Sequence, residues 1–566
     1  MKKRDKMKLL GIVLLILIAI TVVITFVLVT RLAHPTKGEE TKSLSLADGI
    51  LSNVYIVENH EGEIIILYQG KQYVAKQTAE TEYTGVADVE LCDGKIIKIY
   101  AKNGGITGIL DSYTQDSIQL EGYEAVSCDA LLPVYQISDK QKNPDDVRQI
   151  AVSDLIIGNS EIELITANGS ACAIICREEN SVQKVRVLLK NKTEICYPNI
   201  YVKCDQACRM NKDTVTAGTV LSAKKCLKGK KKKKEIRISP EQNGKLYICN
   251  KNGTPLTEGY EGEFILRKEA DGYVLINELP IEDYVRYVLP SEMPVSFSYE
   301  ALKAQAVCAR TFVYGQMKNN AYAQYGANLD DTTAFQVYHA TAPCETSDNA
   351  VYDTQGMVMT YEGKLIDCYY FSTSPGYSEN LKLWGKKSPG YLKAKNRTME
   401  KNKNLSKKKT FHKFITGQPE SYDSDSPYYR WKAEISSKMG MDPEYGRLKK
   451  IKINDRSESG YIRSLTIIFE DGERTYENEL DIRSALGKYL TQIELADGSV
   501  RTGFQSLPSA CFEVKKQKKG TIILTGGGFG HGIGMSQYGA DGMGRAGKSW
   551  QEILEYYYEG VDIVQK

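Results

Sequence analysis

Residues 279–294 read LPIEDYVRYVLPSEMP, and the fold of the chain is most readily predicted from this stretch. Pro280 suits the first position of a helix, because the N–H that proline lacks would have no intrahelical partner there. Apolar residues then recur at helical spacing, at Ile281, Val285 and Val288. Pro290 is expected to end this helix. The sequence therefore predicts a short amphipathic helix followed by a loop over residues 289–294.

A second helix is predicted directly downstream. Ser298 can serve as its N-cap, since a serine side chain accepts a hydrogen bond from the first free N–H groups of a helix. The buried stripe of this helix is expected to comprise Leu302, Ala306, Ala309 and Val313. Gln305 and Arg310 flank the stripe, and two roles remain open for them. They either face a binding cleft or hold the helix to its neighbours.

Glu292 is the only carboxylate of the predicted loop, and Pro290 and Pro294 brace it on both sides. A carboxyl group can donate a proton near neutral pH when partial burial raises its pKa. Glu292 is therefore a candidate for acid/base chemistry. An ordinary surface carboxylate is the alternative.

Most of the remaining chain has the pattern of strands. Residues 49–183 contain short alternating runs such as NVYIVE and EIELITA, separated by Asn-Gly and Asp-Gly turns. They predict a β-rich spacer or binding region. Residues 184–566 combine further strands with the helices, and within them residues 396–450 are polar and lysine-rich, which predicts an insertion or a mobile flap. We expect an α+β protein whose catalytic region is mixed α/β with β subdomains.

The N-terminus predicts a membrane anchor. Residues 1–8 are strongly basic, and residues 9–30 contain no charged side chain. A helix of that length spans roughly 33 Å, enough for the hydrocarbon core of a bilayer. Because basic flanks stay in the cytoplasm, we expect a signal anchor within residues 1–30 and a tether over residues 31–48. The expected location is the cell membrane, with a single pass and the bulk of the chain extracytoplasmic.

A glycine-rich segment, residues 526–539, follows an apolar strand near the end of the chain. So many glycines indicate backbone conformations or close approaches that a β-carbon would prevent. Its polar side chains, together with two serines that follow the strand at residues 365–371, are candidates for binding sugar hydroxyls, and purely structural turns are the alternative. These candidates are Ser372, Ser374, His531, Ser536, Gln537 and Tyr538.

Several other classes of function are disfavoured. Residues 542–549 match the spacing of a phosphate-binding loop, but the buried strand that this loop requires does not precede them. No G-x-S-x-G elbow of a serine hydrolase is present. The cysteine pairs have C-x3-C spacing, which is not that of a zinc ribbon, and a net charge of +3 on 566 residues does not call for a nucleic-acid partner. We expect no cofactor and no metal.

Several motifs together resemble the stage II sporulation protein D (SpoIID/LytB) family. In order along the chain they are LPIEDYVRYVLPSEMP, EALKAQAVCARTF, FQVY, AVYDTQGMVMTYEGKLI and GGGFGHGIGMSQYGADGMGRAGKSWQEILEYYYEG. They extend the resemblance over about residues 184–565, with residues 396–450 poorly matched. The β-rich region before residue 184 is not covered.

The resemblance implies an enzyme that cleaves the glycan strands of peptidoglycan by lytic transglycosylation, leaving 1,6-anhydro ends. It places the family's catalytic glutamate, in the Glu-Met-Pro motif, at Glu292. The family name implies a setting in sporulation. Some members enhance cell-wall amidases, so a non-catalytic, glycan-binding activator is the alternative, with other wall hydrolases as partners. Some members hold zinc through histidine and cysteine, but His339 and Cys344 do not complete a ligand set here.

Overall fold

The chain divides into two compact units. Unit 1 comprises residues 1–106, 131–151 and 163–178, and unit 2 comprises residues 107–130, 152–162 and 179–566. The computed structural model describes residues 48–60, 62–78, 82–128, 132–138, 146–177, 182–190, 194–228, 235–436, 438–439, 441–518 and 520–566.

The strands are short and numerous. In the first part of the chain they are β1 (Gly49–His60), β2 (Glu63–Tyr68), β3 (Lys71–Gln77), β4 (Gly85–Cys92), β5 (Lys95–Ala101), β6 (Gly105–Tyr113), β7 (Ser117–Leu120), β8 (Val126–Ser127), β9 (Val134–Ile137), β10 (Val147–Ile150), β11 (Glu161–Ala167) and β12 (Ser170–Arg177). They continue as β13 (Lys184–Leu189), β14 (Tyr201–Cys204), β15 (Cys208–Met210), β16 (Asp213–Val215), β17 (Leu221–Ser222), β18 (Glu235–Pro240), β19 (Leu246–Cys249), β20 (Glu263–Glu269), β21 (Gly272–Pro280) and β22 (Leu329–Asp330). The last are β23 (Met357–Tyr361), β24 (Lys364–Leu365), β25 (Tyr370–Phe371), β26 (Trp431–Ser436), β27 (Leu448–Arg456), β28 (Ile462–Phe469), β29 (Glu473–Tyr476), β30 (Leu490–Leu495), β31 (Val500–Arg501), β32 (Phe512–Lys518), β33 (Thr521–Gly526), β34 (Met535–Ser536) and β35 (Asp562–Gln565).

The helices of the described residues all lie in unit 2. They are α1 (Ala223–Cys226), α2 (Ile281–Glu292), α3 (Tyr299–Met317), α4 (Glu345–Asp353), α5 (Lys408–Thr416), α6 (Glu479–Gly487), α7 (Gln537–Arg545) and α8 (Trp550–Tyr557). The predicted stripes of α2 and α3 are buried, and Ser298 precedes α3 as predicted. Its side chain makes no capping hydrogen bond, however, and donates instead to the main-chain carbonyl of Asp541 at 3.3 Å.

Unit 1 contains a closed barrel and a further sheet. The barrel has the strand order β1-β2-β3-β5-β4, and alternate side chains such as Val54, Ile56 and Ile64 fill its interior. Strands β10, β9, β12 and β11 are neighbours in that order, with β9 parallel to β12. The alternation of apolar and polar residues that predicted strands here is the alternation of interior and exterior side chains.

Unit 2 is built from several sheets. The largest has seven strands in the order β16-β15-β18-β20-β21-β13-β22, and α2, α3, α7 and α8 contribute to the same hydrophobic core as its strands. A five-stranded sheet, β31-β30-β26-β33-β32, shares a second core with α6 and with strands β27 and β28. The short parallel pair of β25 and β34 lies apart from these sheets and positions the site described below.

Unit 2 contains a largely buried cluster of charged side chains. The guanidinium of Arg186, on β13, is bonded to Asp111 at 2.8 Å, to Glu278 at 2.6 Å and to Glu121. Arg267 binds the other oxygen of Asp111 at 3.1 Å. Burial acts to raise the pKa of Asp111, but the arginines around it hold that pKa below its usual value. Residues 107–130 are thus tied into unit 2 by charge pairing.

The fold-class prediction was wrong about the proportions of helix and strand. The described residues are 41% strand and only 19% helix, so this part of the chain is mainly β, where typical globular proteins have more helix than strand. The two helices predicted within residues 280–313 are present, and their sequence signal is strong because both are amphipathic. The many short strands give a weaker signal per element, and the mixed α/β expectation overestimated the share of helix.

The membrane anchor also needs correction. The helix expected within residues 9–30 and the tether at residues 31–48 lie outside the described residues, apart from Asp48. Among the residues that the structure describes, no helix is long and apolar enough to cross a bilayer. The prediction of a single-pass membrane protein therefore has no support in the described residues.

Candidate functional site

Glu292 is the last residue of α2 rather than part of a loop. The helix continues through Pro290, although proline has no N–H to donate to the carbonyl four residues earlier, and it ends two residues later. The main-chain N–H of Val337 donates to Oε1 of Glu292 at 2.6 Å. Burial raises the pKa of Glu292 above its usual value, although this N–H and the hydroxyl of Tyr370 act in the opposite direction. Glu292 is therefore a half-buried carboxyl group that retains its proton more readily than a free glutamate.

A chain of polar side chains orients the hydroxyl of Tyr370. Tyr284 donates to Oε1 of Gln336 at 3.2 Å, and Nε2 of Gln336 donates to the hydroxyl oxygen of Tyr370 at 3.1 Å. Since Tyr370 accepts from Gln336, its own hydrogen is free to point at Glu292. Burial raises the pKa of both tyrosines well above its usual value, so both remain donors.

The side-chain amide of Gln537 holds the backbone of the same glutamate. Its Nε2 donates to the main-chain carbonyl of Glu292 at 3.0 Å and lies 3.4 Å from Oε1 of Gln305. Gln305 is fully buried on α3, and its own Nε2 has no hydrogen-bond partner in the described structure. The structure thus brings three sequence candidates, Glu292, Gln305 and Gln537, into one cluster.

The glycine-rich segment brings Gln537 and Tyr370 to this cluster. Strand β34 pairs in parallel with β25, so that Tyr370 lies opposite Met535 and Phe371 opposite Ser536. Gly534 has a φ of +80°, and a β-carbon there would overlap the main-chain carbonyl of Tyr369. Glycine is needed at this position because two backbones approach each other closely.

The serine candidates bond to protein groups. Ser374 is fully buried, and its hydroxyl donates to the carbonyl of Tyr377 at 3.2 Å. Ser536 is also buried and caps α7, accepting from the N–H of Gly539 at 3.4 Å. The carbonyl of Ser372 accepts from the N–H of Tyr538 at 3.0 Å. These residues shape the backbone beside Glu292.

Tyr538 and His531 lie in aromatic surroundings. The half-buried ring of Tyr538 stands edge-on to Phe297 at 4.9 Å between centroids. His531 lies 5.3 Å from Trp384 and 5.6 Å from Phe371, and its Nδ1 accepts from the N–H of Ile533 at 3.1 Å. Burial lowers the pKa of His531 to about 4. At neutral pH its imidazole is therefore uncharged and is not an acid.

Arg310 is occupied elsewhere. Its buried guanidinium forms a two-pronged ion pair with Glu282, at 2.7 Å for both bonds, and donates to the carbonyls of Val351 and Met357. Of the two roles left open by the sequence, these contacts fit the one that joins α3 to its neighbours.

Among the described residues, one cluster of side chains has donor atoms close enough together to bind a metal ion. Oxygen or sulfur atoms of Asp48, Cys92 and Asp93 lie within 4.8 Å of one another, but all three residues are exposed, and exposed acidic groups often lie this close without an ion. His339 is stacked between Tyr260 and Tyr287, at 3.9 and 4.7 Å between ring centroids. We assign no metal to either place.

Comparison with known proteins identifies the family. Residues 269–361 match the family described as Stage II sporulation protein. Stage II sporulation protein D of Bacillus amyloliquefaciens is 34% identical over 302 residues, which cover 51% of this chain and 75% of that protein. The chain belongs to the stage II sporulation protein D family.

Two further relatives of this family member are informative. Stage II sporulation protein D of Bacillus subtilis (strain 168) is 33% identical over 306 residues, with 51% of this chain and 75% of that protein covered. A protein of the same organism named amidase enhancer is 32% identical over 303 residues, which cover 49% of this chain and 39% of that protein.

A second match lies beside the first. Residues 378–492 match a family described as a domain of unknown function, and we call them the second matched region. The segment expected to be an insertion or flap, residues 396–450, lies entirely inside it. That segment contributes Leu405, Phe411 and Trp431 to buried cores of this stage II sporulation protein D family member.

Sequence reasoning missed the partners of Glu292 in this family member. Gln336 and Val337 belong to the FQVY motif that carried part of the resemblance, so that motif was the available signal for them. Tyr370 and Asp423 had no such signal. Asp423 is 1% exposed, and its carboxyl group has polar partners. It accepts from the N–H of Ser374 at 2.8 Å and from the hydroxyl of Ser536. Burial raises its pKa to about 7.

Proposed function

We propose that this protein is a lytic transglycosylase that cleaves peptidoglycan glycan strands, and that Glu292 is its acid and then its base. One observation carries the proposal. Glu292 is a half-buried carboxyl group with a raised pKa whose side chain and backbone are held by Val337, Tyr370 and Gln537. The setting in sporulation rests on the names of the relatives.

The first step uses the proton that Glu292 retains. Protonated Glu292 donates to the glycosidic oxygen as the bond between that oxygen and the anomeric carbon breaks. The leaving sugar departs as an alcohol, and Glu292 becomes a carboxylate. The hydrogen bonds from Val337 and Tyr370 stabilise this charge, because hydrogen bonds to a charged acceptor are stronger than those to a neutral one.

The second step restores the acid. Carboxylate Glu292 removes the proton of the 6-hydroxyl of the same sugar, and O6 bonds to the anomeric carbon. The product is a 1,6-anhydro end, and Glu292 is protonated again. Ordinary glycosidases need two carboxyl groups at the scissile bond.

The amidase enhancer among the relatives favours a second candidate function, a glycan-binding activator of a cell-wall amidase. This function would use the same cluster for binding but would not require proton transfer by Glu292. The two functions therefore differ in whether purified protein cuts glycan strands without a partner.

The test compares the full chain with Glu292→Gln on peptide-free glycan strands. Turnover of the variant should fall by about 10²–10⁴-fold, and mass spectrometry should show 1,6-anhydro ends from the unaltered protein. Glu555→Gln, an exposed glutamate on α8, is the matched control and should keep full turnover. Equal turnover of Glu292→Gln would contradict the assignment.

Two other outcomes are informative. Strand binding without cutting by the unaltered protein would support the activator. Reducing ends would indicate hydrolysis and a second carboxyl group, for which Asp331 is the first candidate, because burial raises its pKa to about 6. Glu379 is less suitable, since it is buried and bonded to Ser457.

A further inference from the structure

Asp423 is a buried carboxyl group that the proposed reaction does not use directly. It lies in the second matched region, residues 378–492, to which no function is attached. The matched region of the sporulation family, residues 269–361, contains Glu292 but not Asp423. Burying a carboxyl group is costly unless hydrogen bonds compensate, so its partners indicate what it stabilises.

The partners of Asp423 belong to two segments that are distant in sequence. Its Oδ1 accepts from the N–H of Ser374 at 2.8 Å, three residues after the end of β25. The same oxygen accepts from the hydroxyl of Ser536, the last residue of β34 and the N-cap of α7. One carboxyl group therefore joins the end of β25 to the start of α7.

These two segments carry the groups that hold Glu292. The first residue of β25 is Tyr370, whose hydroxyl lowers the pKa of the Glu292 carboxyl group. The first residue of α7 is Gln537, whose amide donates to the Glu292 carbonyl. A shift between β25 and α7 would move the side-chain donor relative to the backbone donor and so change the direction of the carboxyl group.

We propose that Asp423 is a positioning residue for Glu292, and that the second matched region contributes to the catalytic site by supplying it. Asp423 acts by fixing β25 against α7, which sets the places of Tyr370 and Gln537. The proposal rests on the proposed function of Glu292 as the acid and base.

The decisive test measures kcat and KM on peptide-free strands as a function of pH, with the full chain. Asp423→Ala should lower kcat by about 10- to 100-fold, because a misplaced catalytic group loses much of its rate while binding persists. KM should stay within about threefold. The pH at which activity declines on the basic side should rise, because a displaced Tyr370 no longer lowers the pKa of Glu292.

Two variants complete the design. Asp423→Asn keeps an acceptor oxygen for Ser374 and Ser536, so it should restore kcat to within about threefold of the unaltered protein. Asp425→Ala removes a carboxylate two residues away whose side chain is 80% exposed, and it should change nothing. A merely structural role would lower stability without moving the pH profile.

The outcomes separate the two proposals. Folded Asp423→Ala with unchanged kcat and pH profile would overturn the positioning role. If that variant does not fold, Ser536→Ala removes one of the bonds to Asp423 and must show a smaller change of the same kind. If the unaltered protein does not cut strands, the proposed function fails. The positioning role is then tested by measuring the pKa of the Glu292 carboxyl group by ¹³C NMR. An equal pKa in the unaltered protein and in Asp423→Ala, or in Ser536→Ala if Asp423→Ala does not fold, would then refute the positioning role.

Discussion

The side-chain amide of Gln537 donates to the main-chain carbonyl of Glu292 at 3.0 Å, across 245 residues of sequence. Carbonyl groups in the last turn of a helix have no partner within that helix. The end of α2 therefore receives a hydrogen bond from the first residue of α7. The site at Glu292 is complete only when the C-terminal segment has folded against α2.

We expect Gln537→Leu to weaken this connection. The variant leaves the Glu292 carbonyl and the amide of Gln305 without their partner, which should lower the free energy of unfolding by about 1–3 kcal/mol. Chemical denaturation of the full chain measures the change. Gln551→Leu alters an exposed glutamine of α8 and is the control. Equal losses in both variants would show that the contact with Glu292 is not important.

Tyr370→Phe should move the pH dependence of turnover. The hydroxyl of Tyr370 lowers the pKa of Glu292, so its removal should raise that pKa further. A reaction that starts from protonated Glu292 should then keep its rate to higher pH, even if the maximum falls. Tyr352→Phe, on a ring that is 75% exposed, is the control. A shift of the basic limb to lower pH would contradict the geometry.

Gly534→Val should abolish folding or activity. Its side chain would overlap the carbonyl of Tyr369, in addition to the strain of a positive φ. Gly547 has nearly the same φ, +82°, but open space around it. Gly547→Val should therefore cost only the conformational strain, about 1–2 kcal/mol. Soluble yield, thermal denaturation and strand cleavage are measured for both variants. If Gly534→Val and Gly547→Val lose equally much, close backbone approach is not the reason that glycine is needed at position 534.

Asp423 should make stability depend on pH. Its pKa is raised from 3.8 to about 7 in the folded chain. A raised pKa means that the folded state binds the proton more tightly, so this contribution is full below pH 4 and is lost as pH rises through about 7. Asp423→Asn should remove that decline from the unfolding midpoint measured between these pH values. Asp425→Asn should retain it, and an unchanged slope in Asp423→Asn would disprove the assignment.

The sequence predicted the parts of the fold that depend on periodicity. The stripes of α2 and α3 were visible because apolar residues recur at helical spacing over several turns. Strands β25 and β34 have two residues each, so no period could indicate that Tyr370 pairs with Met535. The end of α2 was predicted wrongly because Pro290 was expected to stop the helix, which continues for two more residues.

The site was predictable only in part. Glu292 had a braced position and a family motif, and these two signals pointed to one residue. Asp423 had neither, because its role comes from contacts with Ser374 and Ser536 that no local pattern encodes. Arg310 shows the same limit, since a polar residue beside a buried stripe suits a cleft and an internal ion pair equally well.

The charge cluster of Arg186 has a consequence for dissecting the chain. A recombinant fragment that starts at residue 184, where the family resemblance begins, would keep Arg186 and Glu278 but lose Asp111 and Glu121. Removing one partner of a buried ion pair typically costs ~3–5 kcal/mol. A fragment that keeps every carboxylate of the cluster must start at or before residue 111, so the part of the chain that carries the family motifs depends for its stability on residues upstream of those motifs.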